Sequence, residues 1–311
     1  MIFVEGNNMD EILISTIKLI NQNGIRANPR GMWIKEILGY GFTLQNPRNR
    51  LIYNPERKFA LPFALGEFLW YLRGSDSCDI ISYYNSKYVK YSDDKLTLNG
   101  AYGKRIFSSV QDNKSQWDKI VEKLKSDNCS RQAVISIYSK EDIFTNSKDI
   151  PCTSTIQFFI RDNKLNCIVN MRSNDLIWGT CYDVFNFTML QELLVRELEV
   201  ELGWYKHIAG SMHIYEYHSE LVQRILKSEY EVYEMPKMSR LSEEAKHKLL
   251  ECEEKYRNGM NVTYTYDKFW GNICKVLKLY SIKKHRLNED KNIYLKDLPF
   301  EYKYYWMSKG D

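Results

Sequence analysis

The segment 155–171 constrains the fold most, because it sets two β-rich runs on either side of a short polar turn. Residues 155–160 and 165–171 are rich in β-branched and aromatic side chains, and Arg161-Asp162-Asn163-Lys164 separates them. This arrangement predicts an antiparallel hairpin. The later run 184–202 is rich in Leu and Phe, and it predicts a long helix that begins just after Asp183. The chain therefore combines strands with helices.

Hydrophobic spacing and capping residues predict the other elements. The β-rich run 132–138 predicts a strand, and Gly39 and Gly41 indicate a bend in a strand over 34–44. The predicted helices cover 10–22, 63–72 after Pro62, a segment capped by Ser115, 241–256, and 268–282, with Asn258-Gly259 as a turn between the last two.

The predicted helix over 63–72 is apolar nearly all round, which indicates that it is buried. Its one charged residue, Glu67, is then conspicuous, because an unpaired buried carboxylate is costly. Two interpretations stay open from the residues alone. Glu67 is either a structural carboxylate paired with an arginine or a backbone group, or an acid with a functional role.

Composition limits the classes of function. The chain has 44 basic and 40 acidic residues, a surplus too small to indicate a nucleic-acid partner. Its seven cysteines are scattered, which favours reduced thiols in the cytoplasm over a disulfide framework or a zinc site. No targeting segment or membrane span is expected. The length of 311 residues suits a single domain, with a helical insertion or extension at about 236–290.

Four short motifs carry the chemistry. A thiol between a proline and a hydroxyl residue, followed about twenty residues later by an Arg-Ser pair, can supply a nucleophile and an anion clamp in one pocket. The motifs are Ile150-Pro151-Cys152-Thr153, Met171-Arg172-Ser173-Asn174-Asp175, Gly179-Thr180-Cys181-Tyr182-Asp183, and Gly210-Ser211-Met212-His213-Ile214-Tyr215. Together they resemble the thymidylate synthase family, most closely its deoxycytidylate hydroxymethylase branch, over about 67–226. The resemblance implies a three-layer α/β fold with a large mixed sheet.

The resemblance also implies a covalent mechanism. The thiolate of Cys152 would add to carbon 6 of a pyrimidine, so that carbon 5 attacks the one-carbon unit of methylenetetrahydrofolate. Arg172 would lie near the thiol and help to lower its pKa. Glu67 would order a water molecule and relay protons, and Tyr102 would lie near the same water network. Taken alone, Cys152 would more often be an inert buried cysteine.

Substrate contacts follow from the same resemblance. Arg172 and Ser173 would bind the phosphate, and an alternative for the arginine is a salt bridge at a strand end. Arg131 would reach the phosphate of a second subunit across a homodimer interface, with Gln132 where the family usually has another arginine. A lone His-x-Tyr in a strand is usually core packing. The remaining contacts are Arg30 to the phosphate, with Arg26 as a competitor, His213 and Tyr215 to the sugar, and Asp175, Trp70 and Gly179 to the folate.

Asp183 would decide which base is bound. Thymidylate synthases have Asn here, whose amide suits uracil. A carboxyl group that accepts from the amino group of cytosine and shares a proton with its ring nitrogen suits a cytidylate instead. The alternative interpretation is that Asp183 caps the helix that follows, and both roles are compatible.

The expected activity is therefore folate-dependent hydroxymethylation of dCMP or CMP at carbon 5, without a metal and without a membrane or nucleic-acid partner. The end of the chain, 300–311, does not resemble the folate-covering tail of the methylating enzymes, which favours a hydroxymethyl product. The alternatives are methylation of dUMP, hydroxymethylation of a uridylate, and an inactive family member that binds nucleotide or RNA. Retention of Cys152, Glu67, Arg172 and His213 together argues against an inactive protein.

Overall fold

The computed structural model describes residues 2–264 and 267–307, so that the final four residues of the predicted tail region lie outside the described residues. The strands are β1 (Ile2–Gly6), β2 (Ile25–Ala27), β3 (Ile34–Leu44), β4 (Val134–Ser136), β5 (Thr153–Arg161), β6 (Lys164–Met171), β7 (Asn174–Asp175) and β8 (Glu201–Tyr215). The helices are α1 (Met9–Asn23), α2 (Leu61–Leu72), α3 (Cys78–Tyr84), α4 (Tyr102–Phe107), α5 (Gln116–Ser126), α6 (Gly179–Leu198), α7 (Ser219–Lys227), α8 (Glu243–Arg257), α9 (Lys268–His285), α10 (Asn292–Leu295) and α11 (Phe300–Met307). Short 3₁₀ helices lie at Pro29–Gly31, Ser86–Lys90, Lys140–Ile143 and Glu216–His218.

The chain divides into two compact units. The first contains Met1–Phe59, Ser109–Asn146 and Ile150–Met235, and the second contains Ala60–Ser108, Ser147–Asp149 and Pro236–Asp311. All eight described strands belong to the first unit, and the described elements of the second unit are helical. The expected single domain with an insertion stays a prediction.

One mixed sheet forms the centre of the first unit. Its strands follow the order β1-β3-β8-β6-β5-β4, with β2 paired to β3 and β7 paired to β8. The β5–β6 and β3–β8 pairs are antiparallel, whereas β1–β3, β6–β8 and β7–β8 are parallel. The predicted hairpin is confirmed, and Asp162 and Asn163 form its turn with φ angles of 51° and 57°. The prediction of an α/β fold with a large mixed sheet is confirmed.

The two faces of this sheet differ in burial. Along β8, Tyr205, His207 and Ala209 are buried on the side where α1 and α6 pack. The alternate residues Trp204, Lys206 and Ile208 are only half-buried. Strand residues alternate between faces with a period of two, so one face is covered by helices and the other is open within this unit.

Local sequence signals explain several elements. Ser115 and Asp118 form a capping box at the start of α5, and Asp267 caps α9 through the backbone N–H groups of Phe269 and Trp270. Gly39 takes a φ of 64° inside β3, where the pairing with β8 passes directly from Leu38 to Tyr40. The predicted bend in this strand is therefore confirmed, because only glycine adopts this φ without strain.

Helix α6 differs from its prediction at both ends. It begins at Gly179, before the expected start, because Thr180 and Cys181 are already buried in the core. It ends at Leu198, where Glu199 takes a left-handed conformation with a φ of 58°. Leu202 instead lies in β8 and pairs with Leu165. The interpretation of Asp183 as an N-cap is wrong, since Asp183 lies inside the helix.

The second unit is built around the apolar helix α2. Every residue of α2 except Pro62 is buried. A Cβ on Gly103 of α4 would lie 2.3 Å from the Cα of Tyr71, so the two backbones approach at this glycine. The helices predicted over 241–256 and 268–282 are confirmed as α8 and α9. Among residues 2–264 and 267–307, the helices all lack the length and hydropathy needed to span a bilayer.

Candidate active site

The strand register gathers several predicted site residues at one end of the sheet in the first unit. Thr153 pairs with Met171, and Met171 pairs with Ala209, so Cys152 and Arg172 lie beside each other at the ends of β5 and β6. Asp175 pairs with His213 through β7 and β8. The residues come from segments far apart in the sequence, and the sheet brings them together.

Hydrogen bonds connect Arg172 to the segment 150–152, which carries the thiol. Its backbone N–H donates to the carbonyl of Cys152 at 2.8 Å. Its Nε donates to the Pro151 carbonyl and its Nη2 to the Ile150 carbonyl, both at 3.0 Å. A guanidinium has five N–H donors, so these bonds orient the fork and leave donors for an anion. Cys152 is half-buried and Arg172 is exposed, as a nucleophile and a phosphate ligand require.

Asp183 is the most perturbed carboxyl group of this region. Burial raises its pKa to about 7, the negative charge of Asp175 adds to this effect, and a hydrogen bond from Asn174 opposes it. Asn174 Nδ2 donates to Asp183 Oδ2 at 2.7 Å. Near neutral pH this carboxyl group is therefore poised between its neutral and ionised forms.

Gly179 leaves room for this pair. A Cβ on Gly179 would lie 3.1 Å from Asn174 Nδ2 and 3.5 Å from Asp183 Oδ2. Gly179 therefore lies against the hydrogen bond between Asn174 and Asp183. Its predicted contact with folate stays a prediction.

Asp175 is half-buried, and its carboxyl group accepts the backbone N–H of Ile177 at 2.9 Å. Burial raises its pKa to about 6, although that hydrogen bond and the charge of Arg57 act in the opposite direction. A carboxyl group fixed by backbone donors can accept from the N–H groups of a pterin. The predicted contact of Asp175 with folate stays a prediction.

His213 lies in β8 beside Asp175, and its predicted contact with the sugar stays a prediction. It is 7% exposed, and burial lowers the pKa of its ring, so the ring is neutral and has one donor and one acceptor nitrogen. Its ring meets that of Tyr215 edge-on at 5.1 Å. A neutral imidazole suits a hydroxyl group, which also donates and accepts.

The structure separates the two N-terminal arginines that competed for the phosphate. Arg26 makes a two-point salt bridge with Glu216 at 2.6 and 3.0 Å and stacks on Trp33. Arg30 is exposed, and its charge contributes to the lowered pKa of His213. This proximity favours Arg30 as the phosphate ligand, and the assignment remains a prediction.

Arg131 and Gln132 lie just before β4, from which Ala133 separates them, and both are exposed. The carbonyl of Arg131 accepts Gln157 Nε2 at 2.9 Å, which ties this segment to β5. Gln132 Oε1 accepts Lys123 Nζ, also at 2.9 Å. Lys123 of α5 therefore places a positive charge beside Gln132, the position where the family usually has a second arginine.

The remaining predicted residues belong to the second unit. Glu67 is 6% exposed, and Tyr88 donates its hydroxyl to Glu67 Oε1 at 2.6 Å. Trp70 is buried, and within the described residues its Nε1 has no hydrogen-bond partner, which leaves a donor for a bound group. Tyr102 packs on Tyr71, with ring centroids 5.8 Å apart. Their catalytic and folate-binding roles stay predictions.

Three residues of this region had no role in the sequence interpretation. Asn174 holds Asp183, Tyr88 holds Glu67, and Lys123 accompanies Gln132. Asn174 lies inside the motif 171–175, so its place near the site could be predicted from the sequence. Tyr88 and Lys123 have no sequence signal, because each reaches its partner across two separate elements.

Comparison with known proteins identifies relatives over most of the chain. The family model described as thymidylate synthase matches residues 12–259. The deoxyuridylate hydroxymethyltransferase of Bacillus phage SP01 is 31% identical over 235 residues, covering 71% of this chain and 61% of that protein. The protein of the same name from Pseudomonas phage M6 is 34% identical over 173 residues, covering 55% of this chain and 49% of that protein. The chain thus spans less than two thirds of these two phage relatives.

Cellular enzymes match as well. The thymidylate synthase of Francisella philomiragia is 26% identical over 233 residues, covering 70% of this chain and 84% of that protein. The solved structure of thermostable thymidylate synthase A from Bacillus subtilis has a TM-score of 0.64 at 23% identity, covering 74% of this chain and 87% of that chain. This structural likeness confirms the predicted fold.

Proposed function

Because the chain belongs to the thymidylate synthase family, we propose that it transfers a one-carbon unit to carbon 5 of a pyrimidine nucleoside monophosphate, with a cytidylate as substrate and a hydroxymethyl group as product. Cys152 is the nucleophile that adds to carbon 6 of the base. Arg172, held by the carbonyls of 150 and 151, binds the phosphate with Ser173. His213 and Tyr215 hold the sugar.

Methylenetetrahydrofolate, when bound, supplies the one-carbon unit. In the first unit Asp175 fits this group, because its carboxyl group is fixed by a backbone donor and can accept from a pterin N–H. In the second unit Trp70 offers a buried indole N–H. Glu67 and the Tyr88 hydroxyl form a polar pair in an apolar helix environment, which suits a group that positions water and moves protons.

The state of Asp183 is the observation that carries the choice of cytidylate. The neutral carboxyl group can donate its proton to the ring nitrogen of cytosine while its other oxygen accepts from the amino group. A pKa raised to about 7 keeps that proton available near neutral pH.

A second candidate is hydroxymethylation of deoxyuridylate. Two phage relatives carry that activity in their names, at 31% and 34% identity. A neutral carboxyl group can also suit uracil, by donating to the carbonyl oxygen and accepting from the ring N–H. Which of the two carboxyl oxygens of Asp183 carries the proton decides between the two bases.

The test is to incubate the protein with methylenetetrahydrofolate and each of dCMP, CMP, dUMP and UMP. We expect a hydroxymethylated cytidylate by mass spectrometry, together with tetrahydrofolate. Reduction to a methyl group would instead oxidise the folate to dihydrofolate, which its absorbance reveals. Stoichiometric dihydrofolate, or a preference for either uridylate, would contradict the proposal.

The open face of the sheet supports a homodimer. Val134, Gln157, Ile168 and Lys206 form one row across four paired strands, and Val134 is 39% exposed. The two apolar residues of this row, Val134 and Ile168, favour a second copy of the chain as partner. Gln157 of this row donates to the carbonyl of Arg131, and this link supports the proposal that Arg131 crosses to the partner subunit.

Mixing two inactive variants tests the shared site. In the proposed dimer, each site uses Cys152 of one subunit and Arg131 of the other. Arg131→Ala therefore removes a phosphate ligand from the partner subunit's site, and Cys152→Ala removes the nucleophile from the site of the subunit that carries it. Random hybrid dimers have one intact site, so mixing equal amounts should restore about a quarter of wild-type activity. The double variant Arg131→Ala/Cys152→Ala mixed with wild type is the control, since it cannot complete a partner's site. Verified hybrids without activity would rule out the shared site.

A further inference from the structure

Asn174 and Thr180 form a short hydrogen-bonded chain that ends on Asp183. Thr180 Oγ1 donates to Asn174 Oδ1 at 2.6 Å, and Asn174 Nδ2 donates to Asp183 Oδ2 at 2.7 Å. Thr180 is fully buried and Asn174 is 4% exposed. In this arrangement the hydroxyl group donates to the amide oxygen, and the amide nitrogen faces the carboxyl group.

A neutral carboxyl group without neighbours is ambiguous. Its proton can sit on either oxygen, so it can present a donor and an acceptor in either order. Cytosine presents an amino donor beside a ring-nitrogen acceptor, and uracil presents a carbonyl acceptor beside an N–H donor. An unconstrained neutral aspartic acid would therefore match both bases equally well.

We propose that Asn174, oriented by Thr180, is a positioning residue that confines the proton of Asp183 to Oδ1 and so makes Asp183 discriminate between cytosine and uracil. A proton on Oδ2 would point at the N–H of Asn174 and set two donors against each other. Within the described part of the chain, Oδ1 has no hydrogen-bond partner and is the oxygen left to donate to a base. This inference rests on the proposed function of Asp183 as the group that reads the base.

The surroundings keep this arrangement in place. Asn174 lies in β7, where it pairs with Met212 of β8, and Thr180 lies in the first turn of α6. The absence of a side chain at Gly179 lets Asn174 approach Asp183. Thr180 Oγ1 also lies 3.0 Å from the Asp175 carbonyl, so this hydroxyl keeps an acceptor if Asn174 is replaced.

The test compares base discrimination, measured as the ratio of kcat/KM for dCMP and dUMP and for CMP and UMP. Asn174→Leu keeps the size of the side chain and removes the amide, so we expect the ratio to fall by about tenfold or more, through relative gain of the disfavoured base. Thr180→Val frees the amide to flip and should lower the ratio in the same direction. Thr180→Ser, which keeps the hydroxyl, should restore it.

Asn166→Leu is the matched control. Asn166 is also a buried asparagine, and its Oδ1 accepts the backbone N–H of Trp204 instead of serving Asp183. Its loss should change stability and leave the base ratio unaltered. If Asn174→Leu folds poorly, the Thr180 pair provides the same comparison.

Each outcome decides the inference. If Asn174→Leu and Thr180→Val lower the activity on both bases equally, Asn174 is only structural and the inference is wrong. A wild-type enzyme that prefers uridylate would overturn the proposed function, yet loss of that preference in both variants would still support the role of Asn174. A wild-type enzyme with no preference would overturn both.

Discussion

Cys152→Ala should abolish product formation and the exchange of the hydrogen on carbon 5 of the nucleotide. Without the thiol no covalent bond forms at carbon 6, and carbon 5 does not become a nucleophile. We expect the rate to fall by at least about a thousandfold, as for other enzymes that lose their nucleophile. Release of tritium from carbon-5-labelled dCMP measures the exchange step, and calorimetry measures nucleotide binding, which should persist because Arg172 and Ser173 remain.

Cys129→Ala is the control for this substitution. Cys129 is an exposed cysteine of the same unit, so its removal should leave both exchange and turnover intact. Exchange that continued in Cys152→Ala, or that stopped in Cys129→Ala as well, would contradict the assignment of the nucleophile.

Asp183→Asn should move the base preference from cytidylate toward uridylate. The amide keeps the shape of the carboxyl group, and in the orientation that suits uracil it sets its NH2 group against the amino group of cytosine and its oxygen against the ring nitrogen. With the amide of Asn174 turned to accept from this NH2 group, cytosine is left with unpaired polar groups. Such a loss is about 1–3 kcal/mol, or roughly ten- to a hundredfold in relative kcat/KM. Competition between dCMP and dUMP for limiting enzyme measures the ratio directly. An unchanged ratio would show that Asp183 does not read the base.

The pH dependence gives a second measure of the same group. The pKa of Asp183 is raised to about 7, so the carboxyl is neutral below this pH and ionised above it. Activity on cytidylate that needs the neutral form should therefore fall as the pH rises through about 7, as seen in kcat/KM. The charge of Asp175 also raises the pKa of Asp183, and Asp183 contributes to the raised pKa of Tyr205, which burial mainly causes. Both are retained in Asp183→Asn, so a falling limb confined to the wild type belongs to Asp183.

The local elements of this protein could be read from the sequence because their signals are short-range. The hairpin turn at Asp162 and Asn163, the capping box of Ser115 and the apolar helix α2 each depend on residues a few positions apart. The motifs around Cys152 and Arg172 indicated the family for the same reason, since their spacing is visible in one dimension.

The start of α6 could not be predicted from local sequence signals. The apolar run begins at Val184 and Asp183 is a capping type of residue, so the sequence favoured a helix that begins there. The helix in fact starts at Gly179, because burial of Thr180 and Cys181 and the bond from Thr180 to Asn174 stabilise an earlier first turn. The tertiary contacts at Thr180 and Cys181 thus outweigh the local preference for a helix that starts at Asp183.

The motifs alone predict which residues carry the proposed chemistry, because the thiol, the arginine, the two aspartates and the histidine all stand at recognisable spacings. The packing of the chain, in contrast, sets which groups hold these and the other predicted site residues in place. Asp183 is held by Asn174, Glu67 by Tyr88, and Gln132 by Lys123, and each pair joins different elements. This difference arises because hydrogen-bond partners and pKa shifts depend on burial and on distances of about 3 Å. Both are fixed by the packing of strands and helices and have no regular spacing along the chain.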